Sequence, residues 1–186
     1  FFGIVLGDGN LSHFQITITL GTKEISYAEY ISGLMGEIFG PTGTVLRYAN
    51  GYISVYLGSV KATQWLQAEG LVFNKVKSQV AAPPWIFEKA AYMRSFLRGF
   101  FDTDGSVYKL RFGIQISLTN FSTPLLISLQ RMLTILNYNV SAISRHHLYI
   151  TKISDIRRFF DEIAPKNQKH NERFKRFIAC YKDLHR

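Results

Sequence analysis

A stretch at the start of the chain returns near its middle. Phe1-Phe2-Gly3-Ile4-Val5-Leu6-Gly7-Asp8-Gly9 comes back as Leu97-Arg98-Gly99-Phe100-Phe101-Asp102-Thr103-Asp104-Gly105. Both copies run apolar residues, a Gly, two more apolar residues, and close on an acid–Gly pair. The two closing acids, Asp8 and Asp104, lie about half a chain apart. Two half-domains that meet at a shared site with two carboxylates would produce this pattern.

Each copy reads better as a helix than as a strand. Ala91, Ser95, Gly99 and Thr103 recur at every fourth position and fall in one row on a helix surface. Gly3 and Gly7 keep the same step. Rows of small residues let two helix backbones approach closely, while Ile4, Val5, Leu6, Phe96, Phe100 and Phe101 face a core. The acids then sit at helix C-termini, just before a Gly suited to a left-handed cap. The helix dipole disfavours a carboxylate there, and two side by side repel. A divalent metal is the natural counter-charge, and carboxylate oxygens suit Mg²⁺. Taken singly, either Asp-Gly pair reads better as a turn before a strand; the duplication argues against that.

The paired segments resemble the motifs of LAGLIDADG homing endonucleases, in the single-chain form with two motifs. The family's final, metal-binding acid falls on Asp8 and Asp104, and its earlier Asp on Asp102. The first copy has Leu6 at that earlier place, and Arg98 stands where the pattern prefers Ala. The resemblance implies an α+β (mixed α/β) fold of two pseudo-symmetric αββαββα half-domains. Each half would offer a curved antiparallel sheet to DNA, and the motif helices would pack together. The halves are residues 1–73 and 90–186, the second with an extra basic C-terminal helix; residues 74–89 link them, with Pro83-Pro84 at the centre of the join.

Charge agrees with a polyanionic partner: the formal net charge is +9 and the pI about 9.7. Cys180 is the only cysteine, which rules out an internal disulfide framework and a Cys-rich zinc site, and fits an intracellular setting. No apolar run is long enough to span a bilayer, and no secretory signal is visible. The chain opens inside its first helix, so a native N-terminal segment is expected to precede it.

After Gly9, Phe14 to Leu20 alternates as a half-buried strand. A helix follows from Lys23 to Phe39, stopped by Gly40-Pro41. A hairpin of Val45–Tyr48 and Tyr52–Leu57 turns at Ala49-Asn50-Gly51. Ser59 caps a helix to Glu69 that Gly70 ends. The second half repeats the plan. A strand runs from Leu110 to Leu118, and Ser122 or Thr123 opens a helix to Leu136 with Pro124 in its first turn. The second hairpin is Val140–Ser144 with Leu148–Thr151. Ser154 caps a helix to Ile163, and a basic helix spans Glu172–Leu184. The strand after each motif can be part of a longer hairpin.

On the first strand Gln15, Thr17 and Thr19 oppose Phe14, Ile16, Ile18 and Leu20. On its counterpart Arg111, Gly113, Gln115 and Ser117 oppose Phe112, Ile114, Ile116 and Leu118. The hairpins add Arg47, Tyr48, Tyr52, Ser54 and Tyr56, then Arg145, His146, His147, Tyr149 and Thr151. Such side chains can read base edges from a β-ribbon in the major groove, although any antiparallel sheet has a polar outer face. Lys75, Lys77, Arg157, Arg158, Lys166, Lys169, Arg173, Lys175, Arg176, Lys182 and Arg186 are candidate phosphate anchors.

The resemblance implies a metal-dependent endonuclease that makes staggered double-strand cuts, one acid per strand, at a long asymmetric DNA target, acting as a monomer and encoded by an intron. Asp8 and Asp104 would ligate Mg²⁺, with Mn²⁺ able to substitute, joined by the carbonyls of Gly7 and Thr103. Lys152 is the candidate cationic helper, with Leu57 at the corresponding place in the first half. The family's Gln near the end of the strand after each motif has no obvious match; Leu20 and Leu118 stand roughly there, and Gln15 and Gln115 are the nearest substitutes. A binding protein of the same fold without cleavage, a DNA-binding regulator or a maturase acting on intron RNA, is the competing reading. A phosphatase nucleophile motif at Asp102–Ser106 lacks its parallel-strand context. No Glu completes a calcium loop after Gly105, no phosphate-binding Gly-rich loop is present, and the five histidines have no zinc spacing.

Overall fold

The computed structural model describes residues 1–183 other than Asn50, Val76 and Phe112. The expected turn residue Asn50, the strand residue Phe112, the helix end at Leu184, His185 and the basic Arg186 lie outside the described residues, as does the side chain of Lys182.

The first half follows the expected order. Helix α1 (Phe2–Leu6) leads into strands β1 (Gly9–Leu11) and β2 (Gln15–Gly21), then helix α2 (Ile25–Phe39). Strands β3 (Thr44–Tyr48) and β4 (Tyr52–Gly58) and helix α3 (Val60–Ala68) complete it. Its antiparallel sheet has the order β1-β2-β4-β3. The hydroxyl of Ser59 accepts the Ala62 N–H and so caps α3, and Gly70 follows at φ +102°, a conformation open to glycine. A 3-10 turn over Pro84–Glu88 leads to α4 (Ala90–Asp104).

The second half departs from its twin. Strands β5 (Gly105–Leu110) and β6 (Gly113–Thr119) follow α4, then helix α5 (Thr123–Ile135), strand β7 (His147–Ile150) and helices α6 (Ile153–Glu162) and α7 (Gln168–Asp183). The sheet is three-stranded, β5-β6-β7. The expected strand Val140–Ser144 does not form: the Ser141 N–H reaches the Tyr149 carbonyl, and Ser144 makes an isolated bridge to His147. Gln130 also takes the Ser141 carbonyl (2.9 Å), so side chains replace a regular ladder here. Leu110 closes β5 rather than opening the alternating strand, because the chain turns back directly after it. Ser154 lies inside α6, whose first residue is preceded by Lys152.

One apolar core joins the halves. Ile16, Ile18, Leu20, Ile53 and Val55 line the inner face of the first sheet, and Ile114, Ile116, Leu118, Leu148 and Ile150 that of the second. Phe96, Leu97, Phe100 and Phe101 of α4 are buried with Ile4, Val5 and Leu6 of α1. Phe14, expected on the inner face, is exposed, because β2 starts one residue after it. No helix among the described residues is long and apolar enough to cross a membrane.

Candidate active site

The two motif helices cross at backbone contact. A Cβ on Gly3 would lie 2.7 Å from the Phe100 nitrogen, one on Gly99 2.9 Å from Ile4 Cγ1, and one on Gly7 2.8 Å from Thr103 Cβ. All are closer than carbon packing allows, so these positions admit glycine alone. The glycines after the acids serve a different purpose from the one expected. Gly105 is extended (φ −91°), and Gly9 is not among the positive-φ residues. A Cβ there would meet the preceding helical turn, 2.5 Å from Val5 Cα at Gly9 and 2.8 Å from Phe101 Cα at Gly105. They let the chain fold from helix into strand beside the last turn.

This crossing brings Asp8 and Asp104 together, both half-buried. Burial raises the Asp104 carboxyl to about 6, and the Asp8 carboxylate adds to the shift; a hydrogen bond from Asn120 and the charges of Lys75 and Lys169 oppose it. Burial likewise raises Asp8, opposed by Lys169 and Lys75 and reinforced by Glu24. The Asn120 amide donates to Asp104 Oδ2 (2.9 Å). No described residue donates a hydrogen bond to the Asp8 carboxylate. The sheet registers explain the difference. Gly9 pairs with Ile18 and Gly105 with Leu118, so Asn120 and Leu20 hold matching places two residues further on.

The cations at the site come from the segment after α3 and from the start of α7. Lys75 Nζ donates to the carbonyls of Val5 (3.2 Å) and Gly7, capping the C-terminus of α1 where the dipole favours a cation. Burial lowers its pKa, and Asp104 and Asp8 raise it. Lys169, in the first turn of α7, pairs with Glu24 Oε1 (2.7 Å). The two lysines are related by the duplication: each stands seven residues beyond its half's third helix, α3 or α6. Each follows a left-handed residue two places after that helix, Gly70 at φ +102° and Ala164 at φ +50°. The same spacing in both halves was the signal for them, and it lies outside the conspicuous motifs.

Lys152 is placed differently from expectation. It precedes α6, and its charge acts on Asp155. Strand β7 starts beside Thr119, next to the acid centre, and runs away from it toward Lys152. The Thr103 hydroxyl donates back to Gly99 and Phe100 of its own helix (3.1 and 3.0 Å), and the Gly7 carbonyl accepts from Lys75. Asp102 is buried away from the acid pair. It accepts the backbone N–H groups of Lys166 and Asn167 (all 3.0 Å), just ahead of α7. Burial pushes its carboxyl up to about 6 against these bonds. This anchor explains why the final helix starts at Gln168 instead of Glu172. Asn167 extends the anchor across the halves, donating to the Asp102 carbonyl (3.0 Å) and to Glu24 (2.6 Å).

The outer sheet faces carry most of the expected contact residues. Thr17 pairs with Tyr56, Thr19 with Ser54, and Tyr52 with both Gly21 and Tyr48, so these side chains share one face with Gln15. Tyr48 stacks on Tyr52 (4.4 Å between ring centroids). Arg47 pairs with Ile53 and therefore lies on the opposite face, although exposed at its edge. On the second sheet Gln115, Ser117, Thr119, His147 and Tyr149 share the outer face, with His147 held by Thr119 (2.9 Å) and stacked on Tyr149. Ser54, between Thr19 and Leu46, and Ser117, between Ser106 and Tyr149, are buried. Arg111 and Arg145 occupy the turns before β6 and β7, and Thr151 lies just past β7, each exposed.

Comparison with known proteins agrees with this fold. The LAGLIDADG-like domain family matches residues 91–164, and no curated protein sequence matches the chain. The meganuclease I-AabMI bound to uncleaved DNA superposes with TM-score 0.63 at 13% identity over 99% of this chain and 90% of its own. The homing endonuclease I-SmaMI bound to cleaved DNA gives 0.61 at 15% over 99% and 89%. The N-terminal LAGLIDADG domain of DUF199/WhiA gives 0.59 at 18% over 90% and 81%.

Proposed function

With the LAGLIDADG fold over the chain and a LAGLIDADG-like domain at residues 91–164 as the premise, we propose that this protein is a homing endonuclease. It hydrolyses both strands of a long, asymmetric DNA target and leaves staggered ends. It acts as an intracellular monomer whose halves, residues 1–73 and 90–186 joined by 74–89, each serve one strand. The observation that carries this reading is the pair of half-buried carboxylates at the crossing helix ends, each within the field of the same two lysines. Binding a duplex needs no such pair. Mutual repulsion would make it a liability beside phosphates.

The donor set fits a divalent ion. Both acids are raised by burial, Asp8 has no hydrogen-bond donor among the described residues, and Asp104 is raised further by its neighbour. Asp8 and Asp104 would hold Mg²⁺ or Mn²⁺, with the Gly7 and Thr103 carbonyls as further oxygens; Lys75 would have to leave the Gly7 carbonyl for that oxygen to serve. A bound ion of this kind lowers the pKa of an attacking water and neutralises the leaving oxygen. The chain's own groups supply the rest. Asn120 fixes the orientation of the Asp104 carboxylate. Lys75 and Lys169 offset the charge of the phosphates beside it. Gln15, Thr17, Thr19, Tyr52, Tyr56, Gln115, His147 and Tyr149 meet the duplex from the sheets, and Arg111, Arg145, Tyr48 and Thr151 from their margins.

The competing reading is a regulator or maturase of the same fold that binds without cutting. Incubation with a pool of random duplexes, with Mg²⁺ and with chelator, separates the two. Magnesium-dependent staggered ends at one long sequence support the endonuclease. Selective retention of duplex or of intron RNA without new ends supports the binder.

A further inference from the structure

Asn120 and Ser122 are both buried and firmly held. The Asn120 N–H donates to the His146 carbonyl (3.0 Å), its amide to Asp104 (2.9 Å), and its Oδ1 accepts the Ser122 N–H (2.9 Å). The Ser122 hydroxyl donates to the Val80 carbonyl (2.6 Å). Between these two anchors Phe121 is 62% exposed. Its one ring partner among the described residues is His146, at 4.7 Å and 48°. Folding gains little from such a ring, since burying it would be worth about 1.5–3 kcal/mol more than leaving it in water. A lone exposed apolar residue is ordinary. This one is distinguished by its place. It is one residue from the donor to Asp104, on a backbone that cannot swing away. By the two-residue alternation of Ser117 and Thr119 it continues the outward row of β6 at the acid end. The matching residue of the first half is Gly21, which presents no side chain.

Resting on the endonuclease reading, we propose that Phe121 is a wedge that enters the duplex between base pairs beside the scissile phosphates. Apolar side chains inserted at a base step unstack it and kink the helix. The rigid backbone on either side makes the ring a fixed wedge, and the His146 ring tilted against it braces it. The step it enters is one that unstacks easily, so Phe121 selects a pyrimidine–purine step at the target centre, a position chosen by deformability without a base-edge hydrogen bond. The pseudo-symmetry fails at this point, so the wedge acts from one side of the target only.

The test uses the full chain, in chelator to prevent cutting, on duplexes retained from the random pool and labelled at both ends for energy transfer, with 2-aminopurine at the central step. The wild type is expected to bend the duplex by about 20–90° and to brighten the 2-aminopurine. Phe121→Ala is expected to lose both effects and about tenfold in affinity, as removal of one stacking contact does, with an unchanged salt slope and melting temperature. Phe121→Trp is expected to restore bend and brightening. Equal bending and brightening by Phe121→Ala overturns the wedge and leaves the endonuclease reading intact. A wild type that retains no duplex at all overturns both.

Discussion

Asn120 and Leu20 occupy matching places in the two halves, yet one donates to an acid and the other is buried in the core. Asn120→Leu therefore gives Asp104 the surroundings of Asp8. With the hydrogen bond to a charged group gone, worth about 1.5–3 kcal/mol, cutting of one strand should slow by one to two orders of magnitude, read as nicked plasmid that accumulates before the linear form. Equal slowing of both strands would contradict the assignment. His170 offers a second test at this scale. It is wholly buried against Phe101, with Nδ1 unpartnered among the described residues and Nε2 facing the Asp102 carbonyl (3.3 Å), and burial lowers its pKa to about 3. Its folded pKa lies below its unfolded value of about 6.5. The stability tied to its neutral form is thus complete above that value and is lost as pH falls toward 3. The penalty of His170→Gln should then shrink below pH 6.5 by up to about 1.4 kcal/mol per pH unit, and the His170 ring resonance should not titrate between pH 7.5 and 5. Neither Asn120 nor His170 was legible in the sequence as part of this centre. Asn120 stands two residues beyond the strand end expected at Leu118, and strand ends are set by pairing, which alternation does not reveal.

The motif helices were the most legible elements, because a step of four small residues admits one geometry. Gly99→Ala places a methyl against the Ile4 backbone and side chain and should cost about 1–3 kcal/mol, measured by denaturant midpoint; a neutral result would refute the crossing. The alternating strands were legible for a similar reason, since one face must be buried. What stayed hidden were elements defined by distant partners. Residues 140–144 have a strand's composition, yet Gln130 donates to the Ser141 carbonyl and the Ser141 hydroxyl accepts the Tyr149 N–H that a ladder would bring to that carbonyl. Helix α7 starts four residues before its expected place because Asp102, far away in sequence, binds the N–H groups ahead of it. Asp102→Ala should destabilise the fold by about 1–3 kcal/mol and speed amide exchange through residues 166–171 above all. Uniform exchange along the chain would show that Asp102 does not anchor the helix.

At the scale of the molecule, a duplicated sequence yields two unequal halves around one centre. Among the described residues one half offers four strands and the other three. Lys75 is bound to helix carbonyls, whereas Lys169 is bound to a carboxylate of the opposite half. Such a centre suits an asymmetric partner better than a palindrome. The charge of +9 gives the expected salt law: with 6–10 phosphate contacts, affinity for duplex DNA should fall by about 10³–10⁵ between 50 and 200 mM salt, read by fluorescence anisotropy. The central claim is that Asp8 and Asp104 together form a metal-dependent centre that cuts both strands. Strand-resolved sequencing of the ends made on a selected target by wild type, Asp8→Asn and Asp104→Asn, with Mg²⁺ and with chelator, tests it most directly. The account predicts staggered ends on both strands from the wild type with Mg²⁺ alone, and no double-strand break from either variant. The same ends from both variants, or from wild type in chelator, would contradict it.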